Sequence, residues 1–136
     1  MQYFYSKRSE EEVNQMSPLT WAYVGDCVYE LYIRTKLVNS TNLKPHELHM
    51  KSISYVKAKA QADLLEELEL ELSEEEKNIV RRGRNTKTHH IAKNASMSDY
   101  MYSTAFEALI GYLYLTNNEK RLNEILEKIS EIYRNK

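Results

Sequence analysis

Two acidic residues stand where acids are expensive. Asp26 is flanked by Val24, Gly25, Cys27 and Val28, and Glu107 by Ala105, Phe106, Ala108 and Leu109. An unpartnered carboxylate in such surroundings costs several kcal/mol. A salt bridge, backbone donors, protonation or a metal ion could compensate. If the two segments pack together, the carboxylates can converge. Carboxylate oxygens, with waters and phosphate oxygens of a substrate, suit Mg²⁺, a hard cation that keeps much of its hydration. The competing arrangement is a buried ion pair with Arg34, Lys57 or an arginine of segment 81–84. Glu30 lies one turn beyond Asp26 and one turn before Arg34, the spacing of an ordinary helix-surface pair. Ser103 and Thr104 precede Glu107 by a turn, where they can hydrogen-bond it or the helix backbone.

The elements that must carry these residues read as helices. Three glycines and two prolines signal few turns. Ser9 with Glu12 fits a capping box opening a short first helix. Ser17-Pro18 begins the helix that bears Asp26. That helix is apolar on nearly every side through Tyr32, so it is expected to be buried all round, in the core or partly against another chain. Gly25 costs about 1 kcal/mol relative to Ala in mid-helix, which close approach of another backbone or a ligand would justify. Pro45 starts a further helical stretch running through Leu65, and Leu68-to-Leu72 reads as a helix end and connection. Ser73 with Glu76 caps a short helix expected to stop at Gly83. Residues 85–97 read as a loop. A helix from about Ser98 carries Glu107 to Asn117, and Asn118 caps a last amphipathic helix. The expectation is an all-α fold of six or seven helices in a single domain over 1–136.

The 136 residues have a net charge of −1, but the charges are sorted. Glu66 to Glu76 holds seven acids and no bases, whereas Lys77 to Ser98 holds six Lys or Arg and no acids. Such sorting offers a basic face. Cys27 is the lone cysteine and is expected to be a small buried hydrophobe in a reducing compartment. The N-terminus lacks the apolar stretch of a secretory signal, and no apolar run approaches a membrane span. A cytoplasmic location is expected. Eleven tyrosines require that some sit partly exposed.

Two segments resemble a known family. YVGDCVYELY resembles the signature helix of the ribonuclease III family, built on a Phe-Leu-Gly-Asp-Ala-Val pattern. STAFEALIGYLYL resembles that family's second catalytic helix. The motifs occur in the family order about eighty residues apart, and RRGRN and KN between them resemble the short form, Mini-ribonuclease III. That form is a catalytic domain without the C-terminal domain that binds double-stranded RNA. The resemblance spans about Ser17 to Asn135. It implies that Asp26 and Glu107 are catalytic and bind Mg²⁺, with Mn²⁺ as a substitute, and that Tyr23 plugs into a partner subunit of a homodimer. The larger enzymes carry further acids where this chain has Ala22 and Thr104. The short form is similar at both places, and fewer carboxylates put a second metal ion in doubt.

The activity so implied is endonucleolytic cutting of both strands of duplex RNA, leaving 5′-phosphates, with precursor 23S ribosomal RNA as substrate. A ribosomal protein presenting that RNA is a further expected partner. Arg81, Arg82, Arg84, Asn85, Lys87, Lys93 and Asn94 are the expected RNA contacts. His89 and His90 are RNA contacts or solvated residues, and His46 and His49 helix-surface residues. One alternative is a non-catalytic module that binds double-stranded RNA on a nuclease fold. Another is a helical phosphohydrolase acting on nucleotides, for which this chain lacks His-Asp metal motifs.

Overall fold

The computed structural model describes residues 5–86 and 96–136. Seven α-helices and no strand occur among them: α1 Glu10–Asn14, α2 Pro18–Ser40, α3 Pro45–Val56, α4 Ala58–Leu68, α5 Glu74–Asn85, α6 Met97–Leu115 and α7 Glu119–Arg134. A 3₁₀ turn, Glu69–Glu71, follows α4. The all-α expectation is met, and the Leu68-to-Leu72 stretch is the helix end and connection read from the sequence.

Local chemistry sets the helix starts. Ser9 and Ser73 form reciprocal capping boxes with Glu12 and Glu76. The Ser17 hydroxyl accepts from Leu19 N–H ahead of Pro18, and the Asn118 side chain accepts from Arg121 N–H. Two boundaries differ from expectation. The stretch from Pro45 is broken at Lys57, whose extended ψ of 155° separates α3 from α4. Gly83 does not end α5 but lies inside it. An added Cβ there would meet Ala108 and the Ala105 backbone of α6 at 2.9–3.0 Å, so the glycine serves helix packing rather than termination.

Helix α6 is the centre of the fold, packed most extensively on α2 and next on α5 and α4. Ten of its residues, including the run Ser103–Phe106, are buried. Around Phe106, Leu109 and Ile110 lie Tyr29 and Ile33 of α2, Leu64, Leu65 and Leu68 of α4, and Ile125 and Ile129 of α7. A second cluster joins Trp21 to Val13, Ile79 and Tyr112, with the Trp21 indole N–H donating to the Val13 carbonyl at 2.8 Å. A partly buried ion pair locks α7 to α5: Arg121 makes two bonds to Glu76, at 2.7 and 2.9 Å, and another to the Glu71 carbonyl at 2.8 Å. Burial pushes the Glu76 carboxyl up, but Arg121 and the Ser73 backbone N–H outweigh it and hold the group below the usual range.

Helix α2 is not buried all round. Trp21, Gly25, Tyr29, Ile33 and Leu37 face inward, while Tyr23, Cys27, Leu31 and Val38 form an exposed apolar stripe. Tyr23 is 77% exposed and Leu31 66%. Cys27 is exposed rather than buried. The helix is apolar on both sides because two faces carry apolar residues, only one of which meets the core. Among the described residues, no helix is long and apolar enough to cross a membrane.

Candidate active site

Two glycines set the site. At the α2–α6 crossing, a Cβ on Gly25 would collide with the carbonyl oxygen of Glu107, and a Cβ on Gly111 with the carbonyl oxygen of Trp21. The helices therefore touch backbone to backbone, at two points one turn apart on each. Asp26 directly follows the first glycine, and Glu107 is the residue on which that glycine rests. The crossing brings the two acids, about eighty positions apart, within hydrogen-bonding reach of each other.

The acids differ in surroundings. Asp26 is exposed, contrary to the expectation of a buried carboxylate, because it sits at the border between the inward and outward faces of α2. Glu107 is mostly buried. Burial, with the adjacent Asp26 charge, pushes its carboxyl up to about 8. Protonated, Glu107 can hydrogen-bond Asp26. Gln61 of α4 opposes this shift: its Nε2 donates to Glu107 Oε2 at 3.4 Å and to the Val56 carbonyl at 2.9 Å.

The competing ion-pair arrangement is absent among the described residues. No Lys or Arg there forms a salt bridge with Asp26 or Glu107. Arg34 instead pairs with Glu30 at 3.6 Å on the exposed surface, as the spacing suggested. Thr104 and Ser103 turn their hydroxyls to the Tyr100 carbonyl, at 2.9 Å each, and so do not reach Glu107. Ala22 is buried.

The pair fits a hard divalent cation. Two carboxyl groups are adjacent, burial and the Asp26 charge favour the protonated form of one of them, and a cation would offset both effects. No cluster of three or more His, Cys, Asp or Glu able to hold a metal occurs among the described residues. A cation at Asp26 and Glu107 would therefore draw its other ligands from water and phosphate.

The basic segment divides. Arg81 is exposed and bonds the Asn78 side chain within its own helix. Arg84 lies 5.9 Å from the Tyr102 ring and donates to Asn85, which is exposed. Arg82 differs: its guanidinium stacks 4.6 Å from the Trp21 ring centroid and donates to the Asn14 carbonyl at 2.9 Å. It is committed to holding α1 and α2 against α5. Lys87, His89, His90, Lys93 and Asn94 lie outside the described residues. His46 and His49 are exposed on α3. The residue not singled out from the sequence is Gln61, which lies within an Ala- and Lys-rich stretch that carries no chemical signal.

Comparison with known proteins bears on this geometry. The Ribonuclease III domain family model matches residues 19–118, a span that includes both acids and both crossing glycines. A Mini-ribonuclease 3 of Thermoanaerobacter is 50% identical over 119 residues, covering 88% of this chain and 84% of that protein. Those of Clostridium tetani and Staphylococcus aureus are 44% and 45% identical, each covering 92% of this chain, and 83% and 95% of the respective relatives. A crystal structure of a Fusobacterium nucleatum protein superposes with a TM-score of 0.78 at 28% identity, covering 88% of this chain and 96% of that one. The chain thus belongs to the ribonuclease III family, in its Mini-ribonuclease III branch, and is an endoribonuclease.

Proposed function

We propose that this endoribonuclease acts as a homodimer on double-stranded RNA, with Asp26 and Glu107 holding one Mg²⁺ in each subunit as a single catalytic domain over 1–136. The observation that carries the reading is the carboxyl pair built by the Gly25–Gly111 crossing and left without a cationic side chain among the described residues. Bound there, Mg²⁺ (or Mn²⁺) supplies Lewis acidity at a phosphate oxygen and a more acidic water. Asp26, exposed at the helix border, is the group that substrate can reach. Glu107, beneath it, contributes charge once its proton is displaced. Precursor 23S ribosomal RNA is the substrate we favour, on the likeness to the Mini-ribonuclease III branch, with a ribosomal protein as the candidate for presenting it. A cytoplasmic location accords with that substrate.

Grip on the duplex is assigned to Arg81, Arg84 and Asn85, with Lys87, Lys93 and Asn94 of the adjoining segment, as phosphate contacts. Duplex RNA is read mainly through its shape and 2′-hydroxyls, so little base selectivity is expected. The exposed stripe of Tyr23, Cys27, Leu31 and Val38 lies beside Asp26 and supports an apolar subunit contact centred on Tyr23.

The test is cleavage of a long duplex RNA at low salt by wild type and Asp26→Asn, in Mg²⁺ and in EDTA. Metal-dependent cutting, lost in Asp26→Asn with RNA binding retained, is expected. Binding without cutting under any divalent metal would indicate a non-catalytic module. Equal cutting by both proteins would mean the active site lies elsewhere.

A further inference from the structure

Gln61 is 1% exposed, on a helix whose other buried residues are Leu64, Leu65 and Leu68. Its amide orientation follows from its neighbours. The Val56 carbonyl and Glu107 Oε2 are both acceptors, so the nitrogen end must face them. The oxygen end is then left without a hydrogen-bond partner among the described residues, and it is the one buried side-chain atom there in that condition. A buried acceptor left unpaired is destabilising, and an apolar side chain of the same length would avoid that penalty. Packing therefore does not account for an amide at this position. Its hydrogen bonds do: one caps the Val56 carbonyl at the end of α3, and the other joins α4 to the acid on α6 across 46 positions of sequence.

We propose that Gln61 is a positioning residue, whose N–H holds the Glu107 carboxyl against Asp26 in the arrangement that receives a divalent cation. The proposal rests on the carboxyl-pair reading above. Gln61 touches neither substrate nor the reacting atoms and acts through Glu107. Ligand-orienting bonds of this kind are commonly worth ten- to a hundredfold in metal affinity.

The test is Mn²⁺ binding by the full chain without RNA, followed by electron paramagnetic resonance of free Mn²⁺, for wild type, Gln61→Met and Asp26→Asn. Unfolding temperatures are measured in EDTA alongside. Gln61→Met should bind Mn²⁺ roughly tenfold more weakly or worse, with an unfolding temperature unchanged or raised. A normal Mn²⁺ isotherm with a lowered unfolding temperature would overturn the proposal. It would show that the amide merely caps α3 at the Val56 carbonyl. Should Gln61→Met fail to fold, Gln61→Asn decides: its amide is one methylene too short to span both acceptors, so weakened binding supports the proposal and normal binding refutes it. Absence of Mn²⁺ binding by wild type, or equal binding by Asp26→Asn, would instead remove the carboxyl-pair reading, a failure distinct from that of Gln61 alone.

Discussion

Glu107 should make the metal-free protein less stable as pH rises, and Glu107→Gln should cure it. An unfolded glutamate loses its proton near 4.5, whereas in the fold burial and the Asp26 charge hold it until about 8. Between those values the native state binds more protons than the unfolded one, so stability falls with increasing pH. The loss begins above the unfolded value, grows through the neutral range and levels off above the folded one. At pH 7 the linkage amounts to on the order of 3 kcal/mol before water entry or side-chain movement reduces it. Glutamine keeps the shape, cannot ionise, and can still hydrogen-bond Asp26. Each kcal/mol is worth roughly 3–5 °C in a domain of this size, so with about half of that linkage surviving such relaxation Glu107→Gln should melt about 5–10 °C above wild type at pH 7.5 in EDTA. At pH 4.5 the two should coincide. Thermal unfolding followed by circular dichroism from pH 4.5 to 8.5 measures the difference curve, in which every group common to both proteins cancels. A difference that stays flat with pH, or a Glu107→Gln protein less stable than wild type at pH 7.5, would refute the account of a Glu107 destabilised by burial and Asp26. Added Mg²⁺ should raise the wild-type melting temperature and leave that of Glu107→Gln nearly unmoved.

Gly25→Ala places a methyl group inside the Glu107 carbonyl. It should cost at least about 3 kcal/mol by parting the helices and should abolish cutting in whatever fraction remains folded, as denaturant titration and cleavage assays would show. Tyr23→Arg introduces a charge into the exposed stripe. It should shift the protein to monomers in sedimentation velocity, with little change in melting temperature at high dilution. Arg82→Ala removes the stack on Trp21 and the bond to Asn14, lowering stability by about 1–2 kcal/mol. Arg81→Ala should leave stability alone but weaken duplex binding and reduce the salt dependence of affinity by about one unit of slope. If Arg82→Ala leaves stability unaltered, or Arg81→Ala leaves the slope unaltered, the division of labour between neighbouring arginines is wrong.

The difference between those two arginines shows where a sequence stops being readable. Arg81 and Arg82 are adjacent, of one type and in one basic run, but a helix turns about 100° per residue. One points to solvent and the other onto the Trp21 ring, and only the packing of α5 on α1 and α2 decides which. Features that are local were legible. Ser9, Ser17, Ser73 and Asn118 each satisfy backbone donors within three residues of themselves, so their helices begin where the caps stand. Gly83 misled because a glycine ends a helix or admits a neighbour, and α6 supplies the neighbour. Cys27 misled because an apolar stretch shows that surfaces avoid water without showing how many of them the chain itself can cover.

The acids were found through cost, and the structure shows how that cost is distributed. The expectation treated Asp26 and Glu107 alike, as two buried charges in need of a common remedy. In the fold only Glu107 bears the burial, and it responds by keeping its proton, while Asp26 stays at the surface. This asymmetry suits a site that must be stable while empty and charged when filled. Two ionised carboxylates held together without a cation would repel and strain the α2–α6 crossing on which the core depends. One proton removes that repulsion at the cost worked out above, and a divalent cation bound by the pair would take the proton's place. Gln61 fits the same logic, since its N–H favours the ionised form of Glu107 without bringing a positive charge that would compete with the metal. A lysine in its place would neutralise the pair permanently and leave no reason for a cation to bind.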